Sequence, residues 1–177
     1  MIITKPLNVN RVIMKISHQY SSCYNHRTKN LKTKAAIMNI LTYESVSLDE
    51  NEPALLILDQ TKLPNVIEIL HLTDIHDIHR AIYTLQVRGA PAIGIAAAFG
   101  LYLEALRLDA EDYPVFMAGL EKARDYLNSA RPTAVNLSWA LNRMYRVAEV
   151  NKEKSILEIR EALHNEALAI KSEDTEM

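Results

Sequence analysis

Glycine is nearly missing from this 177-residue chain: there are four, Gly89, Gly94, Gly100 and Gly119, about 2% where ~7% is usual. That scarcity argues against a β-rich fold built on tight turns, and against a glycine-rich phosphate loop anywhere outside residues 89–119. Cysteine is almost as rare. The single one, Cys23, excludes a disulfide framework, and it leaves the rest of the chain without a cysteine nucleophile or thiolate metal site. A reducing, cytoplasmic setting is expected. Long hydrophobic runs are also lacking. The longest, Ala90–Leu103, spans 14 residues and contains Pro91, Gly94 and Gly100, short of the roughly 20 needed to cross a bilayer. It reads as a buried helix, and no membrane partner is expected.

Acidic residues are absent from the first 37 positions, which carry Lys5, Arg11, Lys15, Arg27, Lys29, Lys32 and Lys34. The remaining 140 residues hold 13 basic and 22 acidic side chains. A basic, acid-free leader fits an organellar targeting segment, an arm for nucleic acid or anionic membrane, or translated sequence upstream of a start at Met38. The acidic body speaks against nucleic acid as the main partner. Residues 1–37 are therefore set apart from a working domain at 38–177.

What is present is mostly helical periodicity. Ala54–Leu58 is a short apolar run, and Asn65–Leu70 alternates apolar and polar residues, so a β flap is expected over about 54–70. Ile75, Ile78, Ile82 and Leu85 recur at helical spacing behind Thr73 or Asp74 as cap. Pro91 opens a second helix to about Leu108, apolar all round its first half and so central in the packing. Pro114 opens a third, to Asn128. Arg131-Pro132-Thr133 opens a fourth, with Leu137, Leu141, Met144 and Ala148 on one stripe. A fifth carries Ile156, Ile159, Leu163, Ala167 and Ile170, and its end in Lys171–Met177, without cap or glycine, reads as a chain cut short. The expected class is mainly α with a small antiparallel β flap (α+β): a two- or three-stranded flap on about five helices, spanning about 74–171.

Two segments can carry chemistry. In Val87-Arg88-Gly89-Ala90-Pro91-Ala92-Ile93-Gly94 an arginine precedes a helix start whose amides at Gly89, Ala90, Ala92 and Ile93 favour an anion. Arg88 adds the bidentate geometry that phosphate prefers. Gly94 and Gly100 leave room for a neighbouring helix or a ligand. The plainer alternative is that Arg88 caps a preceding carbonyl and the glycines serve packing. Ala130-Arg131-Pro132-Thr133-Ala134-Val135-Asn136 repeats the design, with Thr133 and Asn136 spaced to cap. Two arginines at two helix starts can converge on one phosphate, or be two ordinary helix beginnings. His76, His79 and Tyr83 share the helix flank away from the isoleucine stripe, as expected of a solvated polar face; a third metal ligand is not identifiable. Trp139 beside Arg143 and Arg146 is read as a half-buried tryptophan on a charged flank.

VRGAPAIG at Val87–Gly94, ARPTAVNLSWALNRM at Ala130–Met144 and LDQTKLP at Leu58–Pro64 closely resemble the N-terminal region of the S-methyl-5-thioribose-1-phosphate isomerase family. The resemblance runs from about Ala54 to the end of the chain. Ribose-1,5-bisphosphate isomerase and the regulatory subunits of initiation factor 2B belong to the same wider group. It implies an aldose–ketose isomerisation without cofactor, a sugar-phosphate substrate, and a dimeric family. It carries substrate binding onto Arg88, Gly89, Ala90 and Arg131. It places the family's catalytic cysteine and proton-donating aspartate in a C-terminal Rossmann-like domain that nothing here matches: no cysteine follows Cys23 and no glycine follows Gly119. On this reading no catalytic residue is present, and Asp59, Asp74 and Asp112 do not fill the vacant role. The chain is expected to be inactive by itself. The alternative is a non-catalytic sugar-phosphate-binding or assembly module.

Overall fold

A computed structural model describes residues 43–49 and 51–175, with side chains to Glu173. The basic leader lies outside those residues. Ala54–Leu58 forms the middle strand, β2, flanked by β1 (Val46–Asp49) and β3 (Ile69–Leu72) in an antiparallel sheet of order β1-β2-β3. Four of the five β2 residues are buried, which is why this run is continuously apolar rather than alternating. Val46 stands opposite Ile57, and Leu58 opposite Ile69.

The expected strand at Asn65–Leu70 begins late, at Ile69. The amides of Asn65 and Val66 both turn back to the Lys62 carbonyl, at 3.1 and 3.0 Å. They cannot also pair with β2, so the ladder restarts beyond them. Strand β1 makes the flap three-stranded, within the expected two or three, but lies before the expected span of 54–70. Its end is marked by Asp49, whose Oδ1 accepts from the Asn51 amide at 2.9 Å.

Five helices follow: α1 (Ile75–Tyr83), α2 (Ala90–Arg107), α3 (Tyr113–Ser129), α4 (Val135–Val150) and α5 (Ile156–Thr175). Helix α2 packs against each of the other four and against β1 and β2. Every residue from Ile93 to Leu101 is buried, as its all-round apolarity requires. On length and composition α2 is apolar enough to cross a membrane, with a mean hydropathy of 1.2, yet 61% of it is buried within the fold. It is the core helix of the bundle. At its far end Arg160 from α5 donates to the Ala105 and Leu108 carbonyls, at 2.9 and 2.7 Å, and so satisfies acceptors that a helix end leaves open.

Both glycines within α2 serve close packing. A Cβ on Gly100 would lie 3.0 Å from Ile78 of α1 and 3.5 Å from Leu127 of α3. A Cβ on Gly94 would lie 3.1 Å from the Asn136 carbonyl oxygen at the start of α4. The second contact brings the beginnings of α2 and α4 together.

Candidate functional site

The segment leading into α2 is built by helix α1 ending in an unusual way. Leu85 adopts a left-handed conformation, with φ of 62°. The Leu85 amide bonds the Ile82 carbonyl at 3.3 Å and the Gln86 amide bonds the Ala81 carbonyl at 2.9 Å. This is the paired closure usually made by a glycine. A leucine there costs on the order of 1–2 kcal/mol, so neighbouring contacts must hold it. Arg88 supplies one: its Nε donates to the Leu85 carbonyl at 3.2 Å. The reading of Arg88 as a carbonyl cap is thus correct for one nitrogen. Its two terminal nitrogens have no hydrogen-bond partner among the described residues, and the side chain is exposed.

Gly89 caps α2 with φ 93° and ψ 137°, a region that essentially only glycine enters. Nothing lies within 4 Å of the position a Cβ would take, so the backbone there is open to a ligand. Gly89, Ala90 and Pro91 are exposed. No side chain caps this helix start, and its first turn holds no acidic residue. One expected amide is not free: Ile93 donates to the Gly89 carbonyl at 3.0 Å. The helix dipole and the Ala90 and Ala92 amides remain to face an anion, Pro91 having none to offer.

The second arginine segment differs from expectation. Pro132 and Thr133 do not begin the helix; they form a turn closed by the Ala134 amide on the Arg131 carbonyl at 2.9 Å. The helix starts at Val135 with Ala134 as cap, so neither Thr133 nor Asn136 caps it, and again no acid stands in the first turn. Arg131 is half-buried, and its guanidinium has no partner among the described residues. The contact between Gly94 and Asn136 sets this start against that of α2. Arg88, Gly89 and Ala90 on one side and Arg131 on the other therefore flank two adjacent, uncapped, acid-free helix beginnings.

The other three helices are closed. Asp74 accepts from the His76 amide at 2.7 Å, and Asp112 from the Val115 amide at 2.9 Å. Ser155 and Glu158 exchange bonds, Glu158 Oε2 accepting from the Ser155 amide at 2.9 Å while Ser155 Oγ accepts from the Glu158 amide at 3.3 Å, a capping box. Asp74 and Asp112 are thus spent on structure, and so is Asp59. That carboxylate is fully buried. Its Oδ1 accepts from the Thr61 amide and hydroxyl at 2.9 and 2.6 Å, and its Oδ2 from Gln86 Nε2 at 3.0 Å. Burial pushes its pKa up, but these bonds outweigh burial and hold the carboxyl below the ordinary value of 3.8. Sequence reasoning missed the Asp59–Gln86 pair, because the partners are 27 positions apart and no local spacing signals them.

The histidines do not form an isolated solvated face. His76 Nδ1 lies 2.8 Å from the Tyr126 hydroxyl, His79 Nε2 lies 3.1 Å from Ser129 Oγ, and His79 stacks on Tyr126 with ring centres 4.5 Å apart. Burial, with the charge of His76, lowers the His79 pKa. This polar–aromatic seam joins α1 to α3, and among the described residues no group of His, Cys, Asp or Glu is arranged to hold a metal. Trp139 is 48% exposed with Arg143 5.2 Å from its ring centre. Arg143 is already committed to Glu166 and, in bidentate fashion, to Glu173 at 2.6 and 2.7 Å.

Known proteins share this arrangement of chain. The initiation factor 2 subunit family matches residues 86–177. Methylthioribose-1-phosphate isomerase of Bacillus licheniformis is 53% identical over 130 residues, covering 73% of this chain and 36% of that protein. 5-Deoxyribose 1-phosphate isomerase of Petrotoga mobilis is 47% identical over 137 residues, covering 77% and 40%. The solved structure of translation initiation factor eIF-2B subunit delta from A. fulgidus superposes with a TM-score of 0.70 at 36% identity, covering 76% of this chain and 38% of that one. The chain thus spans well under half the length of the relatives it matches, and the helical bundle with its three-stranded sheet is the part held in common.

Proposed function

Since the chain belongs to the initiation factor 2 subunit family, we propose that it supplies the phosphate-binding part of an aldose–ketose isomerase acting on S-methyl-5-thioribose 1-phosphate. The observation that carries this reading is the pair of abutting helix starts, each led by an arginine whose terminal guanidinium nitrogens have no partner among the described residues, and neither closed by a side chain or an acid. A phosphate dianion supplies what both starts lack, and Arg88 and Arg131 supply what the dianion needs. Gly89 and Ala90 let the anion reach the backbone. The isomerases it resembles act on ribose 1-phosphates that differ at the C5 substituent, and the constant element in those substrates is the phosphate this site would hold.

The reaction is redox-neutral: C2 loses its hydrogen and its hydroxyl proton to become the ketone carbon, C1 gains a hydrogen as its bond to the ring oxygen breaks, and that oxygen takes up a proton, so the step needs an acid and a base but no external oxidant. The aspartates described above are engaged in capping and loop closure, and the family resemblance assigns proton transfer to groups beyond the matched segment. This chain accordingly binds and orients the substrate and does not turn it over unaided. Positioned acid–base partners contribute typically 10²–10⁴-fold, so their loss is decisive.

Two measurements test this. Titration with S-methyl-5-thioribose 1-phosphate should show binding that the unphosphorylated sugar does not. An isomerase assay on the same 177-residue chain should show no turnover above background; substantial turnover overturns the assignment of roles. The likeness to eIF-2B subunit delta favours a second reading, a binding module that never takes part in catalysis. Joining residues 54–177 to the C-terminal part of the Bacillus licheniformis relative separates the two, since restored isomerisation supports the first and binding without turnover the second.

A further inference from the structure

The loop that carries Arg88 does not hold itself. It follows a leucine in a left-handed conformation, and it is reached from the sheet by two bonds that converge on one residue. The Gln60 amide donates to the Gln86 carbonyl at 2.9 Å, while the Gln86 side chain donates to Asp59 at 3.0 Å. Asp59 is itself fixed by Thr61 and by its own amide on the Glu68 carbonyl at 2.9 Å. Gln86 is thus gripped at backbone and side chain by consecutive residues of the β2–β3 connection. The buried Val87 follows it, and Arg88 and Gly89 come next.

A buried carboxylate far from water is costly unless satisfied. Asp59 is satisfied, yet the Thr61 bonds alone would serve for a local turn. The bond to Gln86 ties the sheet to the loop, and it is the one with a consequence beyond the sheet. We infer that Asp59 is a positioning residue for the anion site: through Gln86 it fixes the segment that presents Arg88 and the open start of α2. This inference rests on the phosphate reading of that site.

The test uses the full chain in four forms: unaltered, Gln86→Ala, Gln86→Glu, and the exchanged pair Asp59→Asn/Gln86→Glu. Gln86→Ala removes the donor without adding charge, whereas Gln86→Glu sets two carboxylates face to face. The exchanged pair restores a donor opposite an acceptor, because an asparagine Oδ1 still accepts from Thr61 while its amide donates to the new glutamate. Amide hydrogen exchange at Gln60, Gln86 and Val87, and affinity for inorganic phosphate, are read on each form.

Both single variants should exchange at those amides about tenfold faster and bind phosphate about tenfold more weakly, the scale of one lost bond to a charged group. The exchanged pair should return both within about threefold. Gln86→Ala keeps the test valid if Gln86→Glu fails to melt cooperatively. Unaltered chain that ignores phosphate sinks the phosphate reading. Unaltered chain that binds phosphate, with Gln86→Ala binding equally well, sinks the positioning role alone. A pair that fails to recover exchange protection also sinks it.

Discussion

Helices α1, α3 and α5 begin differently from α2 and α4, and on the proposed phosphate reading the difference separates structure from function. The first three are closed by Asp74, Asp112 and the Ser155–Glu158 box. The other two begin at Gly89 and Ala134, which bring no capping side chain and no first-turn acid. At Ala134 intrinsic stability cannot explain that choice, because a Ser, Thr, Asp or Asn cap gains about 1 kcal/mol over alanine, whereas at Gly89 the positive φ itself calls for glycine. The two starts left open are also the two preceded by an arginine and the two that touch, through Gly94 and Asn136.

The contrast can be broken at its joint. Gly94→Val drives a branched side chain into the Asn136 backbone, which lies only 3.1 Å from where even a Cβ would sit. A loss of about 3 kcal/mol is expected, read as a fall in melting temperature with phosphate affinity lost alongside; an unchanged melt would refute the contact. Next in size is Arg88→Ala, which should cost about 2 kcal/mol of phosphate binding while lowering the melt only slightly, since Arg88 is exposed and its side chain makes a single bond, to the Leu85 carbonyl. Arg131→Ala should weaken binding less, because no clasp like Asp59–Gln86 holds its turn. A reversed ranking would show that the second start leads.

Adding a cap where none exists sharpens the comparison further. Ala134→Asp should raise stability by about 0.5–1 kcal/mol and weaken phosphate binding, because the new carboxylate takes the amides and repels the ligand. Asp112→Ala should do the opposite to stability, by about 1 kcal/mol, with affinity unaltered. If both changes moved affinity alike, open and closed starts would not differ in function.

The smallest expected effect concerns acid. Asp59 has a folded pKa below its ordinary value of 3.8, so the stability it contributes is complete above that value and fades as pH falls through the folded pKa. Acid melts of Asp59→Asn should therefore show a shallower decline below about pH 4 than the unaltered chain; parallel curves would mean that Asp59 binds protons alike folded and unfolded.

Local chemistry was readable in the sequence. Asp74 as a cap, the prolines near the starts of α2 and α3, and the buried apolar run of α2 each depend on residues within a turn of one another, so spacing alone reveals them. The two arginine-led starts were legible as a pair for the same reason. What escaped reading had no local mark. Leu85 takes a conformation that glycine would have advertised, Pro132 starts a turn where proline more often starts a helix, and β1 forms through a register with β2 that only the folded chain defines. Asp59 closes a local turn through Thr61, and nothing in its neighbourhood announces Gln86.

The bond from Asp59 to Gln86 also bears on how the molecule can be divided. The sheet is small and stands at the start of the described chain, and a dissection aimed at the helices would naturally discard it. A bundle trimmed to begin at α1 would keep all five helices and both arginines. It would nevertheless lose the Gln60 amide and the Asp59 carboxylate that hold the connection between α1 and α2. Such a miniature should retain much of its helical signal while the loop between α1 and α2 moves freely, so the proposed phosphate site is best studied with all three strands in place.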